Sequence, residues 1–82
     1  MANYEYLNER TLRRVRTLCE LVEYDLSRLQ SENAPTVDST LDQLDVAYAI
    51  CDSAIDSLVE LKTLLGKMAD EREDEHEDGE GF

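Results

Sequence analysis

An all-α fold, an antiparallel two-helix hairpin with coiled-coil-like packing, is what this 82-residue sequence predicts. Three observations point to it. Apolar residues recur at spacings of three and four along two long stretches, which puts them on one face of a helix. The only Pro is Pro35 and no Gly precedes Gly66, so a single interior break is available. No run of Val, Ile and Thr alternates with polar residues between turn signals, so strands are not indicated.

The first helix is predicted over about residues 4–31. Within it Leu12, Val15, Cys19, Val22, Leu26 and Leu29 form an unbroken apolar seam. The segment Ser31-Glu32-Asn33-Ala34-Pro35-Thr36 then breaks the pattern. Asn33 suits a helix C-terminus, and Pro35 disfavours helical geometry at Ala34. The loop is therefore placed at about 32–36, short enough to make the helices antiparallel neighbours.

The second helix is predicted over about 37–68, with Ser39 followed by Asp42, or Thr36 slightly earlier, supplying the N-cap. Its seam is Leu44, Ala47, Cys51, Ala54, Leu58, Leu61, Leu65 and Met68, in which Ala47 and Ala54 permit close approach. Leu41, Tyr48 and Ile55 widen the apolar stripe on one flank, and Val46, Ile50 and Leu64 on the other. At 100° per residue the arc covers about half the helix circumference, more than one partner helix covers. The prediction is a homodimeric four-helix bundle or docking on a larger partner, with Val46, Ile50 and Leu64 as the apolar contact residues. A chain this short also has a marginal core of its own.

Residues 70–82, DEREDEHEDGEGF, hold eight acids and one Arg, a net −7 out of the chain's −12. A block that repels itself and has little to bury predicts an unstructured acidic tail behind a hairpin domain of residues 1–69.

Composition excludes several functions. Twenty acids against eight Lys and Arg, with a pI near 4.2, oppose direct binding to nucleic acid or an anionic membrane. No apolar run approaches about 18 residues, and MANYEYLNERTLRR lacks the apolar stretch of a signal peptide, so a cytoplasmic protein is expected. Catalysis has little to work with. His76 is the only His and stands among acids with nothing to orient it. Glu73, His76 and Glu77 form at best a weak, unselective cation site. There is no glycine-rich phosphate loop, GxSxG, HExxH or CxxC, so neither an enzyme nor a cofactor or resident metal is expected.

Two Cys make no disulfide framework. Folding the chain about residues 34–35 sets positions summing to about 69 side by side, which puts Cys19 and Cys51 in one layer. They read as two buried thiols used as small apolar residues, or as a redox-sensitive clasp across the hairpin.

Two surface patterns bear on function. Asp38, Asp42, Asp45, Asp52, Asp56 and Glu60 follow spacings of 4, 3, 7, 4 and 4. On a helix they fall within about 80° of one another, and four residues rise about 6 Å, comparable with the separation of successive phosphates. The row reads as a nucleic-acid mimic or as an ordinary solvated face. The first helix carries Arg10, Arg13, Arg14 and Arg28 interleaved with Tyr6, Leu21 and Tyr24. Arg and Tyr are favoured interface anchors, which suggests a protein-binding face. The alternative is a solvated face with local pairs Glu9–Arg13, Arg16–Glu20 and Asp25–Arg28.

The function these features point to is a non-enzymatic inhibitor that occupies a basic, nucleic-acid-binding surface of a protein partner. Small acidic helical proteins of phage and mobile elements that block host defence share this size and charge, an analogy and not a sequence match. The alternative is a structural or adaptor subunit that completes a helical bundle, its acids serving solubility or salt adaptation.

Overall fold

A computed structural model describes residues 4–80, with side chains through Glu73. The reading of Glu73, His76 and Glu77 as a cation site, and the end of the acidic segment at Phe82, lie outside the residues so described. Within the described part the chain is two helices, α1 over Glu9–Gln30 and α2 over Leu41–Glu80, packed side by side as an antiparallel hairpin.

α1 begins five residues later than its periodicity predicts. Asn8 adopts extended geometry as the N-cap, and its side-chain oxygen accepts the Thr11 N–H at 2.9 Å. Glu9 in the first turn and Arg28 in the last complement the helix dipole. The helix closes with the Asn33 N–H donating to the Arg28 carbonyl at 2.9 Å, and with the Ser31 hydroxyl donating to the Ser27 carbonyl at 2.7 Å.

The connection is longer than predicted because residues 37–40, Asp38 and Ser39 among them, belong to it and not to α2. Ser39 Oγ accepts the Thr36 N–H at 2.8 Å, and Thr36 Oγ1 accepts the Asp38 N–H at 3.2 Å, which fixes a tight local turn. The N-cap of α2 is Thr40. It forms a reciprocal capping box with Gln43: Thr40 Oγ1 accepts the Gln43 N–H, and Gln43 Oε1 accepts the Thr40 N–H at 2.8 Å.

α2 does not stop near residue 68. It runs through the acidic segment to Glu80, so residues 70–80 continue a helix where an unstructured tail is predicted. Glu71 explains part of this. Its carboxylate accepts the backbone N–H groups of Glu5 at 3.0 Å, Tyr6 at 3.0 and 3.1 Å and Leu7 at 2.7 Å. The Lys67 ammonium lies 5.2 Å from the Tyr6 ring centre. The segment before α1 is thus tied to α2 at the open end of the hairpin.

The inward seam of α1 is Thr11, Val15, Leu18, Val22, Asp25 and Leu29, with Thr11, Leu18 and Asp25 buried. That of α2 is Ala47, Ile50, Ala54, Ser57, Leu61, Leu64, Met68 and Glu71, with Ala47, Ile50 and Ala54 buried. Both follow three-and-four spacing, but half the positions on each helix are displaced by one residue from the predicted seams. Leu12, Leu26, Leu44, Leu58 and Leu65, predicted inside, are 43–48 % exposed.

Candidate functional site

The Arg14–Glu60 pair orients the hairpin. Arg14 Nε donates to Glu60 Oε2 at 2.7 Å and a terminal guanidinium nitrogen to Oε1 at 2.9 Å, a two-point clamp across the helices. The hydrogen bond from Arg14 lowers the Glu60 carboxyl below its ordinary value; desolvation opposes this and the guanidinium charge assists it. The same hydrogen bond and charge raise the Arg14 guanidinium.

Arg14 and Glu60 each stand one residue before a seam position, Val15 and Leu61. Rotation sense reverses between antiparallel helices, so positions one before the seam share one side of the hairpin on both helices. The clamp confirms this pairing. Positions one after the seam then share the opposite side. On α1 these include Leu12, Cys19 and Leu26, and on α2 Tyr48, Cys51, Ile55, Leu58 and Leu65. Leu44 continues the α2 stripe, four residues before Tyr48. All are exposed, Ile55 at 54 % and Tyr48 at 71 %. The hairpin therefore has a mixed side at the clamp, where Leu21, Tyr24 and Val46 are exposed among polar residues, and a more apolar side opposite, made by both helices.

The predicted contact residues redistribute accordingly. Ile50 and Leu64 are in the intramolecular seam, Ile50 at 5 % exposure, and so are taken up within the chain. Val46 is 44 % exposed, but it precedes Ala47 and lies toward the clamp. The exposed stripe runs instead through positions predicted to be core. The signal that would have found it is the second heptad-spaced series on α2, Leu44, Tyr48, Cys51, Ile55, Leu58 and Leu65, parallel to the first and lacking a partner helix in this chain.

Cys19 and Cys51 are free and exposed on this face. Arg14 meets Glu60 and residues 5–7 meet Glu71, so facing positions sum to about 74–78 and not to 69. The two thiols are staggered by about one helical turn, which removes the basis for a clasp within the hairpin.

The acidic row is shorter than predicted. Asp42, Asp45, Asp52 and Asp56 are exposed on α2 and form no ion pair among the described residues. Glu60 is engaged by Arg14, and Asp38 lies in the loop, off the helix. The Arg/Tyr face also divides. Arg10, Arg14, Tyr24 and Arg28 are on the clamp side, with the Arg28 guanidinium 5.7 Å from the Tyr24 ring centre. Arg13 is exposed on the outer edge, and Tyr6 precedes α1, its amide bonded to Glu71. Among the described residues the anticipated pairs Glu9–Arg13, Arg16–Glu20 and Asp25–Arg28 do not form; Asp25 is instead buried in the seam at 6 % exposure.

A shallow cleft at the loop end is lined by Glu32, Asn33, Ala34, Thr36, Ser39 and Gln43, without a nucleophile–base pair. Among the described residues no group of three His, Cys, Asp or Glu is placed to hold a metal ion, and no helix is long and apolar enough to cross a membrane. No family model matches the chain, and no curated protein and no solved structure proves similar to it.

Proposed function

We propose that this chain is a non-enzymatic protein–protein interaction module, a helical hairpin whose apolar face completes a helical bundle with another polypeptide. The observation that supports it is the pair of exposed stripes, Leu12, Cys19 and Leu26 on α1 beside Tyr48, Cys51, Ile55 and Leu58 on α2. Exposed apolar stripes on both helices of so small a protein are the usual mark of an interface, since burial supplies roughly 25 cal/mol per Å². Ile55→Glu or Leu58→Glu should abolish assembly while helicity by circular dichroism is retained. Assembly that survives both changes would remove this reading.

A second reading, inhibition of a partner's basic nucleic-acid-binding surface, is favoured by one observation. Asp42, Asp45, Asp52 and Asp56 stand exposed along the outer and clamp sides of α2 and form no ion pair among the described residues. Carboxylates so placed would occupy Arg and Lys positions that otherwise hold phosphates, as counter-defence proteins of phage type are expected to do. Association would then be fast and salt-sensitive. Replacing the four by Asn should weaken such binding at least about tenfold, measured by titration at low salt. Binding unchanged by that substitution leaves the apolar face as the sole docking surface.

A further inference from the structure

The docking face described above has room for one further layer of helices, and three features of it indicate what that layer is. Size is the first. The stripes hold seven large apolar side chains, 43–71 % exposed and each on the order of 200 Å² when fully exposed. They present about 700 Å², close to the roughly 800 Å² that each partner contributes to a standard stable interface. Charge is the second. In a chain of net −12 the charged residues among these stripes are Arg16, Glu23 and Lys62, a net +1. Asp42, Asp45, Asp52 and Asp56 of α2 lie on its outer and clamp sides, away from these stripes. Two copies brought together on this face therefore meet where like charge is least. Shape is the third. The hairpin's Cα atoms span only 14 Å in the thin direction, a single layer of helices, and the apolar stripe runs along most of the paired length. Two such layers stacked face to face give a four-helix bundle with a closed core.

We propose that the occupant of the apolar face is a second copy of this chain, the two related by a two-fold axis that stacks Leu12, Leu26, Ile55 and Leu58 of each against the other. The inference rests on the docking reading but commits it to self-assembly. Cys19 and Cys51 become reporters, because both thiols are exposed in one hairpin and covered in the pair.

Two measurements on the full chain test it. Sedimentation equilibrium from about 1 to 200 µM should give a mass approaching twice 9.4 kDa. Ile55→Glu should raise the dissociation constant about 100-fold or more, and Arg10→Glu on the clamp side should change it less than about threefold. Should Ile55→Glu fail to fold, the unmodified protein still decides. The rate at which a small thiol reagent labels Cys19 and Cys51 should fall at least about tenfold across the same concentration range. A mass of one chain at 200 µM, with a labelling rate independent of concentration, overturns self-assembly. A monomer that binds a different protein, and loses it on Ile55→Glu, overturns the second copy while the docking face stands. A monomer whose binding ignores Ile55→Glu overturns both.

Discussion

Leu18 is the most enclosed side chain among the described residues, at 1 % exposure, yet apolar periodicity passes over it. Its heptad equivalents are Thr11 and Asp25, both polar and both buried, whereas one residue later come Leu12, Cys19 and Leu26. Rewarding apolarity alone selects the second set. The structure has the first set inside, and in that rotation Arg14 lies on Glu60 and Glu71 on the amides of residues 5–7, contacts between residues 46 and 66 positions apart that local spacing does not encode. Leu18→Ala should cost about 2–5 kcal/mol in urea unfolding, and Leu12→Ala under about 1 kcal/mol at dilutions where the chain is monomeric. Equal costs would return Leu12 to the core. The clamp itself makes a pH-dependent contribution. Its folded-state Glu60 carboxyl titrates below the ordinary value, so the stabilisation is fully present above the ordinary carboxylate range and is lost as pH falls through the folded value. Glu60→Gln should therefore be less stable than the parent at pH 7 and indistinguishable from it near about pH 2. A difference that persists in acid would assign the effect of Glu60 to packing and not to charge.

At the scale of elements, the existence, order and antiparallel pairing of the two helices were legible from spacing and from one Pro. The ends were not. α1 starts at Asn8 because its side chain captures the Thr11 N–H, a choice of cap that apolar periodicity does not see. The T-x-x-Q signal at Thr40–Gln43 is a capping box readable in the sequence, but it competes with the nearby Ser39 and Thr36, which the structure uses inside the turn. The far end of α2 reads as unstructured when charge density is weighed alone. Glu is a good helix former, and a helix already nucleated by packing adds residues singly at little cost. Gly66 is the weak point of this helix. It lies mid-helix, exposed, and a Cβ placed there meets nothing within 4 Å. Gly66→Ala should raise stability by about 0.5–1 kcal/mol, read as a higher thermal midpoint. A fall instead would mean that this edge of α2 is covered in an assembly.

As a whole, the molecule is a slab and not a globule. Its radius of gyration is 18.5 Å, against about 12 Å for a compact chain of this length. Two helices in one layer leave two open faces, and charge is divided among the surfaces unevenly. α1 holds four acids against five Arg, a net +1, and α2 thirteen acids against three basic residues, a net −10. This partition sets opposite salt dependences for the two ways the protein can act. Two copies meeting on the apolar face bring −12 toward −12 across a contact that is itself nearly uncharged. Screening relieves that repulsion, since the Debye length falls from about 14 Å to about 4 Å between 0.05 and 0.5 M salt. Burial of apolar surface is meanwhile untouched or strengthened. A basic partner held by Asp42, Asp45, Asp52 and Asp56 responds in the other direction, because salt removes the attraction that assembles it. Self-association measured by light scattering should therefore tighten as NaCl rises over this range. Truncation after Glu73 removes five acids beyond the clasp at Glu71 and should flatten that dependence while leaving the apolar face intact. Self-association that weakens with salt would place the contact on the acidic side of α2 and take the apolar face out of it.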